Sequence, residues 1–166
     1  MPNQELHRIV STAIIYKKEV GGNKYLITKR SPHKKVFPNK WTVPGGGLET
    51  DDYTATPPTT KEGTWYYALY TSLRREIKEE VNLEVGFIKY LLDLVFIRPD
   101  GIPVITLSFY APYKSGEVKL DEDATEFFWA TYEECKKYDL IEGILDEIRM
   151  VEEILGGKSE EEVKFR

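Results

Sequence analysis

Cysteine, histidine and methionine are scarce in this chain. A single cysteine, Cys135, leaves no partner for an internal disulfide and fits a reducing compartment. Two histidines, His7 and His33, with no second cysteine nearby, are too few for a structural zinc site. No apolar run approaches the roughly 20 residues of a membrane helix, and the opening stretch Met1–Val10 carries no leader-like apolar core. A basic excess is also absent. Lys and Arg number 23 against 28 Asp and Glu, a net charge of -5, which argues against the basic face that nucleic acid polymers select. What is present is a 166-residue chain with 41% hydrophobic and 31% charged residues, enough for one core burying roughly 70% of the unfolded surface. The expectation is one acidic cytoplasmic domain with neither a membrane nor a nucleic acid polymer as partner.

Short β-branched runs at 7–16 and 25–28 flank Gly21-Gly22-Asn23 and read as a hairpin. A basic, proline-punctuated loop over 29–40 contains Phe37. Trp41 to Val43 is a short strand ended by Pro44, followed at once by Gly45-Gly46-Gly47. Residues 50–64, with Pro57-Pro58 and many threonines, read as a long surface loop, a kind that tends to be functional or disordered. Over 65–81, Trp65, Leu69, Leu73, Ile77 and Val81 recur every four residues and predict a helix, with Thr64 as N-cap and Asn82 at the left-handed C-terminal position. Strands follow over 85–97, 104–110 and 127–130, the first two joined by Pro99-Asp100-Gly101. Thr131 and Glu134 are spaced as a capping box, and a last helix is expected over 141–155. The domain is drawn over 1–157, leaving 158–166 as a charged, frayed tail.

The chemistry concentrates in Arg75-Glu76-Ile77-Lys78-Glu79-Glu80. Glu76, Glu79 and Glu80 stand at i, i+3 and i+4 and share one helix face. Such a face is costly for an isolated helix, because like charges repel and the last turn prefers cations. A divalent cation would remove the conflict, and carboxylate oxygens suit magnesium. Taken alone, the segment is more often a solvated charged face. Its pairing with the upstream glycine loop, which lets backbone approach a metal or phosphate without a Cβ clash, is what singles it out.

These residues resemble the box of the Nudix hydrolase family, G-x5-E-x7-R-E-U-x-E-E-x-G-U, where U is a bulky aliphatic residue. Gly46 matches the first glycine, and Arg75, Glu76, Ile77, Glu79, Glu80 and Leu83 match the second half. Three departures stand out. Asp52 replaces the first glutamate; 22 residues separate it from Arg75, so about fifteen are inserted; and Asn82 replaces the last glycine. The resemblance implies an α/β/α sandwich around a mixed sheet and metal-dependent hydrolysis of a nucleoside diphosphate linked to another group. It implies Mg2+ or Mn2+ held by Glu76, Glu79, Glu80 and a backbone carbonyl at Gly45 or Gly46, with Arg75 orienting Glu76 and with Glu76, Arg75 and Glu79 as the catalytic set. A small phosphorylated substrate is the implied partner, and members are often homodimers. For substrate contacts the candidates are Phe37 and Tyr66 for a base, Arg30 for phosphate, and Glu49 and Asp123 beside the box; Glu122 and Asp123 are alternatives for the general base. The inserted loop is expected to overhang the substrate. The alternative is a non-catalytic nucleotide- or sugar-sensing module of the same fold. An isoprenoid diphosphate isomerase is disfavoured, since Cys135 falls on a late helix away from the box.

Overall fold

The computed structural model describes residues 4–166, so Met1 to Asn3 of the opening stretch lie outside the described residues. The elements are β1 (Arg8–Glu19), β2 (Gly22–Arg30), β3 (Trp41–Thr42), β4 (Gly45–Gly47), α1 (Asp51–Thr54), α2 (Ala68–Val81), β5 (Glu84–Val85), β6 (Lys89–Ile97), β7 (Pro103–Ser115), β8 (Ala124–Ala130), α3 (Tyr132–Cys135) and α4 (Ile144–Leu155). They build an eight-stranded mixed sheet with helices on both faces, the predicted sandwich. β1 runs parallel to β7, from Arg8 opposite Val104 to Tyr16 opposite Pro112, and antiparallel to β2.

β1 is apolar at consecutive positions because both of its faces are covered. Ala13 and Ile15 pack with Leu73, Ile77 and Val81 of α2, whereas Ile14 packs with Ile144, Ile148 and Val151 of α4. β2 divides in the same way, Leu26 to the α2 side, Tyr25 and Ile27 to the α4 side. Asn82 ends α2 with φ 59, and the Thr131–Glu134 capping box is complete.

Several local expectations differ from the structure: the strand expected over 85–97 is split into β5 and β6, and the helix expected over 141–155 begins at Ile144. α2 begins at Ala68, with the left-handed Tyr67 as N-cap and no side-chain cap, in place of Thr64. Trp65 therefore lies outside the apolar stripe: its indole donates to the Thr56 carbonyl at 2.9 Å and its ring sits 5.4 Å from that of Tyr53, stapling the inserted segment to itself. The glycine run is a strand, because it pairs antiparallel with β1. The insertion is not loop throughout, since α1 opens it. The tail, expected to fray, is held by an apolar anchor and by charge pairing: Val163 is buried, Arg149 donates to the Lys164 carbonyl, and the Arg166 amide donates to Asp146.

Candidate active site

Three chain segments meet beside β4. Gly45, Gly46 and Gly47 pair with Thr12, Ser11 and Val10 of β1, and α2 packs across them. There is no room here for side chains on the strand. A Cβ on Gly46 would strike the Glu76 carboxylate, and one on Gly45 would strike the backbone of Ser11 and Thr12. The glycines thus serve close approach, with ordinary extended backbone.

Arg75 ties the cluster together. Its guanidinium donates to both Asp52 oxygens, to the Gly47 carbonyl at 3.3 Å, and to Glu79 at 3.0 Å, and it lies 3.0 Å from a Glu76 oxygen. The expected orientation of Glu76 by Arg75 is therefore present. Asp52 reaches the same guanidinium despite its shorter side chain, because α1 carries it there; its side chain is 2% exposed. The hydrogen bond from Arg75 is the main cause that holds the Asp52 carboxyl down at about 2.

The three glutamates divide. Glu80, aided by burial first and then by the Glu76, Asp121 and Asp123 charges, is pushed up to about 8, although it accepts a hydrogen bond from the Gly45 amide at 3.3 Å. Glu76 is likewise raised by burial, with Arg75 opposing. Glu79 is exposed and turned to Arg75. Among the described residues no three acidic, histidine or cysteine side chains are gathered closely enough to hold a metal ion. The donor chemistry of Glu76 and Glu80 nevertheless fits a hard cation. Two half-buried carboxylates are each held above the usual range, and Arg75, the cation beside Glu76, is shared with Asp52 and Glu79, so a further positive charge would stabilise the pair.

Arg75 and the three glutamates line a cleft of about 940 Å³. Of the sequence candidates, Arg30, Phe37, Gly46, Glu49, Arg75, Glu76, Glu79, Glu80 and Asp123 line it together. Asp123 is paired there with Lys34 at 3.0 Å, and the Arg30 guanidinium, half-buried, donates to the Val36 carbonyl. Tyr66 is not brought in. It stands 62% exposed on the insertion, and none of residues 50–74 borders the cleft, so the insertion does not overhang it. Glu122 also lies off the cleft.

Sequence reasoning passed over Phe96, whose ring lies 6.3 Å from that of Phe37, and Asp121. It also passed over Glu147, buried at 1% exposure and bordering the same cleft. A signal for Glu147 existed: it falls three residues after Ile144 and four before Val151, inside the apolar stripe of α4.

No family model matches the chain. It is similar to a nucleoside triphosphatase, NudI, of Klebsiella pneumoniae, 28% identical over 127 residues that cover 70% of this chain and 79% of the relative. Its fold is shared by a MutT protein of Methanosarcina mazei, with a TM-score of 0.66 and 21% identity over 94% of this chain and 99% of that one. The Nudix domain of Shewanella oneidensis NrtR, solved with ADP-ribose, matches with a TM-score of 0.69 and 17% identity, covering 91% of this chain and 90% of that domain.

Proposed function

We infer that this chain is a member of the Nudix hydrolase family and cleaves the diphosphate linkage of a nucleotide or nucleotide conjugate with the help of Mg2+ or Mn2+. The observation that carries the reading is the half-buried pair Glu76 and Glu80 against the side-chain-free β4, lining a cleft large enough for a nucleotide. Glu76, Glu80 and the Gly46 carbonyl would hold the cation. That cation would neutralise diphosphate charge and lower the pKa of the attacking water.

The protein's own residues do the rest. Arg75, clamped by Asp52, fixes the rotamer of Glu76 through a charge-assisted pair. Glu79 lines the cleft, is exposed, and accepts the proton of the attacking water as the P–O anhydride bond breaks and the phosphate leaves. Arg30 and Lys35, which line the same cleft, meet phosphate oxygens. Phe37 with Phe96 offers aromatic faces to a base. The setting proposed with this activity is the cytoplasm, where a lone buried thiol such as Cys135 persists unpaired.

The test is turnover of a panel of nucleoside triphosphates, dinucleoside polyphosphates and nucleoside diphosphate sugars with and without Mg2+, repeated with Glu80→Gln and Glu79→Gln. Metal-dependent turnover that falls at least 100-fold in both variants is expected. Nucleotide binding without turnover on any member would favour the non-catalytic sensing module instead.

A further inference from the structure

The cleft has a second polar feature in its lining, which the hydrolytic chemistry does not use. Glu147 sits in the first turn of α4, in the apolar stripe between Ile144 and Ile148, and is 1% exposed. Its Oε1 accepts a hydrogen bond from the Ser108 hydroxyl, which in turn contacts the Thr12 hydroxyl at 3.0 Å. These are three polar side chains in a row, reaching from α4 through β7 to β1. The other oxygen, Oε2, takes no hydrogen bond from the described residues, yet it is not among the sealed, unpartnered polar atoms. Glu147 borders the cleft, as do Thr12, Phe37 and Phe96.

A buried carboxyl with no cationic partner is worth explaining, since an apolar residue of that size would pack more cheaply. Arg149, two residues on, is no help, being bonded to Asp146, Glu153 and the Lys164 carbonyl. Burial favours the neutral form. A neutral carboxyl carries one O–H donor and one carbonyl acceptor side by side. That pattern is complementary to a planar edge offering an acceptor beside a donor, such as a ring nitrogen next to an exocyclic amine.

The geometry points to Glu147 as the residue that recognises the nucleobase: Ser108 holds Oε1, Oε2 donates into the cleft, and the base lies in the plane of the carboxyl within reach of Phe37 and Phe96. This rests on the nucleotide reading above and adds to it how the base is selected. No covalent step is involved. Glu147 is a specificity residue that makes no hydrogen bond or ion pair with the Arg75 cluster.

Two substitutions separate recognition from packing. Glu147→Gln reproduces the neutral carboxyl's donor and acceptor in the same shape. Glu147→Met keeps comparable volume and removes both. Binding of AMP, CMP, GMP and UMP, and of ribose 5-phosphate as a ligand with no base, is measured by calorimetry on the full chain with Mg2+ present. The best-bound nucleotide should bind at least 10-fold tighter than ribose 5-phosphate. Glu147→Gln should stay within 3-fold of wild type for every ligand. Glu147→Met should lose at least 10-fold for that nucleotide and less than 3-fold for ribose 5-phosphate.

Equal losses for both ligands would show a merely structural role, and an unchanged nucleotide affinity in Glu147→Met would also overturn the proposal. Loss of binding in Glu147→Gln would mean that an ionised carboxylate is at work, and would overturn it too. The hydrolytic reading is judged separately by turnover of the matching triphosphate: no turnover with the expected binding pattern defeats that reading alone, and turnover with base-independent binding defeats only this one.

Discussion

Replacing Asp52 with asparagine removes one charge from the Arg75 cluster while keeping the side chain's shape. The Asp52 carboxyl is held at about 2 against an ordinary 3.8. At roughly 1.4 kcal/mol per tenfold change, that gap sets a ceiling near ~2.4 kcal/mol. Arg75 is 26% exposed, so screening and the remaining Glu76 and Glu79 partners bring the expected loss to roughly 1–2 kcal/mol. The folded value lies below the unfolded one, so this contribution is complete above about pH 4 and drains away as the pH falls toward 2. Urea unfolding at pH 7, 5 and 3 reads it directly. The difference between wild type and Asp52→Asn should be the same at pH 7 and 5 and should narrow at pH 3. A difference below about 0.5 kcal/mol at pH 7, or one that does not change with pH, would refute the reasoning. The coupling is specific to one partner, so Arg75→Ala combined with Asp52→Asn should cost less than the sum of the two alone.

Gly46→Ala would push a methyl group into the Glu76 carboxylate; turnover should fall at least 100-fold with the circular dichroism spectrum unchanged, and an active variant would mean that Glu76 is not held where the structure has it. Glu80→Gln removes a half-buried, desolvated charge without removing the acceptor for the Gly45 amide, so in EDTA at pH 8 it should raise the melting temperature while abolishing turnover. A lower melting temperature would count against the burial argument. Deleting residues 158–166 exposes the pocket filled by Val163 and frees the Arg149 pairing with the tail, with an expected loss of roughly 2 kcal/mol in urea unfolding; no loss would mean that the tail does not hold α4.

The central β1 and the α2 stripe were legible because burial on both faces leaves a continuous apolar run and burial of one helix face leaves a period near four. The capping box and Asn82 were legible because they act within a few residues. Trp65 misled for the same reason that made the stripe convincing: it falls on the four-residue period by spacing alone, and a period cannot tell a helix from a chain that turns back to bond its own Thr56 carbonyl. The tail misled because charge usually marks solvent, whereas here charges pair with α4 around a single apolar anchor, Val163.

The residue spacing by itself determined that Glu76, Glu79 and Glu80 share a helix face, and that glycines precede them. The tertiary structure alone decided how those three divide. Packing of α2 on β4 half-buries Glu76 and Glu80, while Glu79 stays exposed and pairs with Arg75. It also decided that Asp52, 22 residues before Arg75, closes on that guanidinium, and that Glu147 enters the same cleft from the far layer. Neither contact leaves a local period or motif in the chain, because both are made between elements that meet only when the sheet has formed.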